Sequence, residues 1–429
     1  MTSASLPGER PAGRVQPDVT FRELPDGRTR VEATLDGQKV SHLQIVPLTI
    51  RVGAATLRMD GIADVATETQ HRQQGYARRM LQATVDYMRR RDAALTMLYG
   101  IPDFYGRFGY ATAGPDHLLH LKTTESAPAL PDGWSARALA DTDLPHLQRL
   151  YELGTARSSG AAVRAETSWV WAQLREGISA APTDAPADAA AGAPSASGPG
   201  AACRVLVGPD GRVDAYAWRG AGFWYLDMME RRDGDAFCLA EVMAGSPGAA
   251  DAALALCRQW GAEAGHARGR PITTISLGLP PDSLVAAAAM FQDATFERRF
   301  APAADSMARV LDIDRLLTAL APELTERVRV AELRQTTTLT IETEEGVGAL
   351  LLTPDGAAVV PPGGAAAQGA PESLNARLPQ SDLARLALGA FPPQDLLDRL
   401  PLPLADRTRD LLGTLFPARY PHMYWPDRY

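Results

Sequence analysis

Residues 64–88 read DVATETQHRQQGYARRMLQATVDYM, and they carry the clearest local pattern in the chain. An apolar strand, predicted over 61–67, runs into a polar turn at 71–75 and then into a helix with apolar residues three and four apart. A strand, turn and helix in this order direct backbone N–H groups and the positive end of the helix at one point, which suits phosphate oxygens. The pattern Arg72-x-x-Gly75-x-Ala77 adds a charge and small residues. On these residues alone, an ordinary strand-turn-helix with a basic turn remains the alternative.

A second motif lies at residues 101–110, which read IPDFYGRFGY. Together with Val65-Ala66-Thr67, the turn motif and the helix start Arg78-Arg79-Met80-Leu81, this stretch resembles the GNAT acyltransferase superfamily. Within it, the closer likeness is to acetyltransferases of the enhanced-intracellular-survival (Eis) type. The end of the chain, FPARYPHMYWPDRY at 416–429, resembles the same family. The resemblance extends over nearly the whole chain, with its specific motifs in residues 60–120 and 416–429.

The resemblance implies an α+β (mixed α/β) fold, with tandem GNAT-like domains followed by a sterol-carrier-protein-like α+β domain. We predict a disordered leader at 1–17, a first domain at 18–125, a second at 130–305 and a third at 306–429. The Ala/Pro/Gly/Ser-rich segment 179–202 is predicted to be a flexible insertion in the second domain. The second domain lacks the Arg-x-x-Gly-x-Ala turn, so we expect a structural copy there rather than a second cofactor site.

Hydrophobic alternation places the individual strands. It predicts an antiparallel meander over 18–67, a short strand at 95–99 and another near 111–121. Further along, strands are predicted at 223–230 and 237–243. Parallel pairing between the strand that enters the turn and the strand at 95–99 would open a V-shaped crevice for a ligand.

Acyl transfer from a thioester to an amine requires a held donor, a deprotonated amine and a proton for the departing thiolate. The strand edge at Val65, Ala66 and Thr67 can pair with the pantetheine amides of acetyl-CoA, the co-substrate, as a substitute strand. The pyrophosphate would lie on the turn, at Arg72, Gln73, Gln74, Gly75, Tyr76 and Ala77.

Tyr105 is the first tyrosine of the YGRFGY motif. The resemblance gives it the role of the acid that protonates the leaving sulfur, and a phenol is close enough in pKa to an alkyl thiol for that transfer. A ring that only packs at a domain surface is the alternative for Tyr105.

The resemblance assigns the base to the carboxylate of the last residue, here Tyr429, inserted into the active site. The aromatic, proline-bearing tail at 420–429 is unlike a frayed terminus, so we predict that it is docked. An α-carboxylate is a weak base in water, and it would act through a water molecule or by positioning the ammonium group. A tail that merely packs on the core is the alternative. The family often has an acidic residue before the last one, whereas this chain has Arg428, a basic neighbour that weakens the case for polycationic acceptors.

Composition limits the partners. The net charge of −8 argues against nucleic acid bound on a basic surface and favours cationic small substrates. Cys203, Cys238 and Cys257 have no metal spacing, so we predict buried thiols, no metal and a cytoplasmic location. No stretch is apolar enough to span a membrane. His117 and His120 are expected on a strand surface, and the resemblance implies a homo-oligomer, a hexamer by analogy with the family.

The sequence therefore predicts an acetyl-CoA-dependent N-acetyltransferase that moves an acetyl group directly to a primary amine of a small molecule or a lysine. A complete GNAT domain usually opens with a strand and two helices, and only the predicted leader precedes the meander here. The alternative is accordingly a catalytically silent, GNAT-derived binding or assembly protein.

Overall fold

The structure is a computed structural model that describes residues 16–123, 128–179, 203–219, 226, 229–230, 234–300, 305–364 and 370–429. The predicted leader lies outside the described residues except for positions 16 and 17. The predicted insertion lies outside them except for Ser179, which ends a helix.

The first part of the chain forms a meander that leads into a helix and further strands. Its elements are β1 (Asp18–Glu23), β2 (Thr29–Leu35), β3 (Gln38–Val52), β4 (Ala55–Thr67), α1 (Tyr76–Arg90), β5 (Leu95–Gly100), α2 (Pro102–Tyr105), β6 (Ala111–Gly114) and β7 (Asp116–Lys122). The apolar face predicted for α1 is buried, with Met80, Leu81 and Met88 packed against the sheet. The predicted strand at 111–121 is broken at Pro115, which has no N–H to continue a ladder.

The second part has two helices near its start, followed by strands, a long helix and further strands in the order seen in the first part. It contains β8 (Ser135–Ala138), α3 (Leu144–Thr155), β9 (Ser159–Ala162), α4 (Trp169–Ser179), β10 (Cys203–Val207), β11 (Val213–Trp218), β12 (Ala236–Leu239), β13 (Glu241–Ala244), α5 (Pro247–Ala267), β14 (Thr274–Gly278), α6 (Leu284–Ala289), β15 (Ala294–Arg299) and β16 (Asp305–Val310). The predicted strand at 223–230 is wrong, because the described residues Leu226, Met229 and Glu230 are helical. The predicted strand at 237–243 is split at Ala240 between β12 and β13.

The two parts exchange a strand. The first sheet has the order β1-β2-β3-β4-β5-β16-β6, so β16, the last strand of the second part, lies between β5 and β6. In return, β7 lies between β14 and β15 in a sheet of order β12-β14-β7-β15. The predicted domain limits at 125 and 305 stay a prediction. The two sheets extend across these limits, because each of them contains a strand from the other part of the chain.

The last part of the chain packs on the first sheet. It comprises α7 (Ile313–Val330), β17 (Thr337–Thr343), β18 (Gly346–Thr353), β19 (Gly356–Val360), β20 (Glu372–Arg377), α8 (Gln380–Leu388), α9 (Pro393–Leu397) and α10 (Asp406–Leu415). The strands form a sheet of order β19-β18-β17-β20. One apolar core joins this sheet and α7 to Leu57, Met59 and Met97 of β4 and β5. The sterol-carrier-like assignment of this region stays a prediction.

The three cysteines are buried free thiols, as predicted. Among the helices of the described residues, none combines the length and hydrophobicity needed to cross a bilayer.

Candidate active site

The parallel strands β4 and β5 pair over a short distance and then diverge. Their register runs from Met59 opposite Leu95 to Ile62 opposite Leu98. Beyond this point β4 continues to Thr67 without pairing to β5, and a bulge against β3 at Asp64, where φ is +51°, bends it away. The result is the V-shaped opening that the sequence predicted. The divergent segment carries Val65, Ala66 and Thr67, and its edge toward β5 is open to an added strand.

The turn after β4 is held in an unusual backbone conformation. A 3-10 turn at Thr69–His71 is followed by two left-handed residues, Gln73 with φ +61° and Gly75 with φ +86°. Gly75 is the N-cap of α1, so the amides of the first helical turn are directed toward the same side of the turn. A left-handed glutamine costs free energy, and such strain is concentrated at functional sites.

Side chains of the turn tie it to the end of β4. Arg72 donates from Nε to the carbonyl oxygen of Thr67 at 3.2 Å, so its guanidinium lies where the strand ends. Gln74 donates to the carbonyl of Gln70 and accepts from the hydroxyl of Tyr76, each at 3.1 Å. The predicted phosphate-binding residues are therefore gathered in one turn beside the opening.

Tyr105 lies against the end of β5. It ends α2, and its ring covers Gly100, where any Cβ would overlap the tyrosine. The ring meets Tyr110 edge-on at 6.3 Å. Tyr105 is half-buried, and burial raises the pKa of its phenol above the ordinary value. The hydroxyl is thus protonated at neutral pH and available as a proton donor.

Tyr429, the last residue, lies against β4. Its ring covers Gly61, where a Cβ would overlap it, and its hydroxyl donates to the carbonyl of Met97 at 3.1 Å. The ring also meets Tyr99 edge-on at 5.9 Å.

The two tyrosines occupy opposite faces of the first sheet. Gly61 is paired with Met97, so these two residues share one face, whereas Gly100 lies three residues after Met97 and faces the other way. Tyr105 accordingly packs in the core beneath α1, and Tyr429 packs in the core shared with the last part of the chain. The strand opening has one tyrosine on each side.

Arg428 is buried and paired. Its guanidinium contacts the Asp116 carboxylate at 2.5 Å, lies 4.8 Å from the centre of the Tyr99 ring and donates from Nε to the Met423 carbonyl. Asp116 offsets the charge of Arg428, and the weakened case for polycationic acceptors stays a prediction. A small, mostly apolar cavity adjoins Arg428 on the Tyr429 face, beside Met97, Pro421 and His422.

The second part contains the equivalent opening, but the tail of the chain fills it. β12 and β14 pair in parallel as far as Leu239 opposite Leu277. The chain then continues as β13, which pairs with β11 and no longer with β14. Trp425 packs on Gly278 at the end of β14, where a Cβ would lie 2.7 Å from the indole. The predicted absence of a second cofactor site stays a prediction, and this contact supports it.

Several buried polar residues escaped the sequence analysis. The expectation that His117 lies on a strand surface is wrong: His117 and His422 are both buried with ring centres 6.2 Å apart. Burial lowers the pKa of His117 to about 4. Asp60, on the α1 side of β4, is 0% exposed and has no hydrogen-bond partner among the described residues. Burial raises its pKa to about 6 against the opposing attraction of Arg91. No sequence pattern distinguishes these positions, since each depends on what packs over a strand.

Comparison with known proteins agrees with this geometry. Residues 12–113 match the family model described as an acetyltransferase (GNAT) domain. This range contains the strand opening, the turn and Tyr105. A search of curated proteins finds no significant match.

Solved structures match nearly the full chain. A GCN5-related N-acetyltransferase from Anabaena variabilis has a TM-score of 0.63 at 18% identity, covering 93% of this chain and 89% of that one. A conserved protein of unknown function from Enterococcus faecalis, described as a probable N-acyltransferase, has a TM-score of 0.64 at 16% identity, with coverage of 94% and 89%. Eis1 from Mycobacterium abscessus has a TM-score of 0.55 at 15% identity, with coverage of 93% and 90%. At these identities the likeness shows the fold, and it confirms the predicted mixed α/β class with GNAT-like architecture.

Proposed function

We propose that the protein is an acetyl-CoA-dependent N-acetyltransferase that transfers the acetyl group directly to a primary amine of a small molecule or a lysine. The observation that carries this proposal is the opening between β4 and β5 with Tyr105 on one face and Tyr429 on the other. A thioester held in such an opening would lie between Tyr105 and the chain end at Tyr429, and direct transfer needs a proton donor for the sulfur and an acceptor for the amine proton.

Acetyl-CoA would bind along the α1 side of the opening. The open edge at Val65, Ala66 and Thr67 suits the pantetheine amides, which would extend the sheet in place of a strand. The pyrophosphate would accept from the amides between Gln73 and Ala77, with added charge from Arg72. The left-handed conformations of Gln73 and Gly75 support this role, because they gather those amides into a concave turn.

The reaction needs two proton transfers. The amine nitrogen attacks the thioester carbonyl carbon, the C–S bond breaks, and the thiolate takes a proton from the Tyr105 hydroxyl. Only the neutral amine has the lone pair for this attack, so an ammonium acceptor positioned by the Tyr429 carboxylate first gives one proton to water. After the attack the nitrogen loses its extra proton through a water molecule toward that carboxylate, and Tyr105 regains its proton from solvent. The position of Tyr105 at the end of β5, beside the strand opening, supports its role as the proton donor.

The remaining assignments belong to the same proposal. The net charge of −8 favours cationic acceptors by steering. A cytoplasmic location, assembly into a homo-oligomer such as a hexamer, and a sterol-carrier-like last domain rest on the family resemblance. The domain limits 18–125, 130–305 and 306–429 remain part of this proposal.

A panel of amines assayed for CoA release would test the activity directly. Turnover with any primary amine supports the proposal. Separately, saturating acetyl-CoA at about 100 times Kd should stabilise the fold by about 2.7 kcal/mol. The absence of both turnover and stabilisation would favour the catalytically silent binding or assembly protein. That alternative draws on one observation, namely that only a 3-10 turn precedes α1 within residues 16–75.

A matched pair of variants tests the terminal carboxylate. Adding a few glycines after Tyr429 replaces the carboxylate with an amide and moves the charge away, so turnover should fall by orders of magnitude at nearly unchanged melting temperature. Tyr429→Phe keeps the carboxylate and loses only the hydroxyl that bonds Met97, so it should stay active. Equal turnover in the extended and native proteins would remove Tyr429 from the mechanism.

A further inference from the structure

The tail that ends at Tyr429 is anchored by a buried charge cluster that the proposed chemistry does not use. We infer that Arg164 is a positioning residue, which fixes the C-terminus at the first strand opening by binding Asp427, two residues before the terminal carboxylate. This inference rests on the proposed function for its catalytic consequence, but the anchoring itself can be measured independently.

The contacts between Arg164 and Asp427 are extensive. Arg164 donates from Nε to Oδ1 of Asp427 at 2.9 Å and from Nη2 to Oδ2 at 2.8 Å. The side chains of Arg164 and Asp427 are 1% and 2% exposed. A bidentate pair between a guanidinium and a carboxylate fixes orientation as well as distance, so it determines how the tail lies.

Arg164 also binds residues of the second part of the chain. It donates from Nη1 and Nη2 to the two oxygens of Glu241, at 3.0 and 2.5 Å, and its guanidinium lies 3.6 Å from the centre of the Tyr151 ring. Tyr216 donates to the same Glu241 carboxylate at 2.5 Å. Glu241 begins β13, at the point where the second sheet opens. The guanidinium is thus fixed by rigid elements before the tail adds Asp427.

The tail crosses both sheet openings. The amide of His422 donates to the carbonyl of Ser159 in β9, Trp425 covers Gly278 at the second opening, and Tyr429 covers Gly61 at the first. Asp427 lies between these last two contacts. The second opening, which is not proposed to bind a cofactor, therefore holds the tail of the chain. The bond from Arg164 to Asp427 fixes how far the last two residues extend beyond that opening.

Removal of the last residue by a broad-specificity carboxypeptidase, followed by intact-mass measurement, reports how often the tail is released. Asp427→Ala should raise the rate of Tyr429 removal between about tenfold and a hundredfold, as expected for the loss of charge-assisted hydrogen bonds. Asp427→Asn keeps one acceptor and should give a smaller increase. Arg164→Lys should also increase removal, because an ammonium cannot reproduce the fork.

A matched control separates anchoring from general destabilisation. Asp143 also forms a bidentate pair with Arg137, at 2.5 and 2.8 Å, in the second part of the chain, with the Arg137 side chain 46% exposed. Asp143→Ala should lower the melting temperature while leaving Tyr429 removal at the native rate. Acetyl-CoA affinity, measured by calorimetry, should be unchanged in the Asp427 and Arg164 variants.

The turnover number then links anchoring to chemistry. We expect kcat to fall in the same order as tail release rises. Faster removal of Tyr429 with unchanged kcat would support the anchoring role of Arg164 but would exclude the terminal carboxylate from the proposed mechanism. Native rates of Tyr429 removal in both Asp427→Ala and Arg164→Lys would overturn the inference.

Discussion

At the scale of single residues, two glycines determine where the tyrosines of the proposed site can lie. Gly61 and Gly100 face opposite sides of the sheet, and a side chain at either position would overlap Tyr429 or Tyr105. Neither glycine has a positive φ. Glycine is therefore required at these positions because the tyrosine rings occupy the space of a side chain, and not because of the backbone conformation.

The role of Tyr105 can be tested by removing its hydroxyl. In Tyr105→Phe we expect kcat to fall by about 10²- to 10⁴-fold, because the thiolate loses its proton donor. Acetyl-CoA affinity should persist, since the ring still covers Gly100. Stopped-flow or single-turnover measurement of CoA release checks this where chemistry limits the rate.

Tyr110→Phe is the control for that variant. It removes a hydroxyl from the neighbouring ring, whose partner is the Thr96 hydroxyl at 3.1 Å. We expect a loss of about 1 kcal/mol in stability and little change in kcat. If Tyr105→Phe keeps native kcat, the proton must come from water or from another residue.

Asp60 predicts an unusual dependence of stability on pH. Its pKa is raised from 3.8 to about 6 by burial, so the folded state binds more protons than the unfolded state between these values. The free energy of unfolding should therefore decrease as pH rises from about 4 to 6, by as much as about 3 kcal/mol from this group. In Asp60→Asn this contribution should vanish, as measured by urea unfolding at a series of pH values.

The exposed turn residue Asp36 provides the comparison. Asp36→Asn makes the same chemical change at a side chain that is exposed to solvent, and it controls for the loss of a carboxylate as such. Identical curves for Asp60→Asn and the native protein would mean that water reaches the Asp60 carboxylate.

At the scale of elements, the turn between β4 and α1 has the clearest test. In Gly75→Glu the added carboxylate would face the pyrophosphate, so acetyl-CoA binding should be abolished in calorimetry. Any side chain at φ +86° is strained, and this cost of about 1–2 kcal/mol must be separated from the charge effect.

Gly75→Ala carries the same strain without the charge. No atom lies within 4 Å of a Cβ at this position, so alanine meets no clash. We expect it to lower stability as Gly75→Glu does and to bind acetyl-CoA far better. Equal affinities in the two variants would place the pyrophosphate elsewhere.

Helices and strands could be predicted from the sequence where the spacing of apolar residues along the chain determines them. The helix spacing from Ala77 to Met88 lies within the observed α1, and the strand predicted over 61–67 is the second half of β4. The break between β6 and β7 at Pro115 was not predicted, although a proline within a strand pattern indicates such a break. The anchor at Arg164 could not be predicted, because its partners Glu241 and Asp427 are 77 and 263 residues away in sequence.

At the scale of the whole molecule, the strand exchange predicts one cooperative unfolding transition. Because β16 lies inside the first sheet and β7 inside the second, neither sheet can unfold without disrupting the other. All seven tryptophans lie between residues 134 and 425, so their fluorescence reports on the second part and the tail.

We expect the fluorescence and far-ultraviolet circular dichroism transitions in urea to coincide. As a second test, a fragment of residues 1–123 lacks β16 and should be unfolded or aggregated when produced alone. A folded, soluble fragment or two separated transitions would contradict this prediction.

The same exchange has a consequence for synthesis on the ribosome. The place between β5 and β6 is filled by β16, which ends at Val310, about 200 residues after β6 has been made. At about 5–20 residues per second, the nascent first sheet waits for about 10 to 40 s with two strand edges open. Open edges invite pairing with other chains, so this protein should depend on chaperones that shield nascent chains.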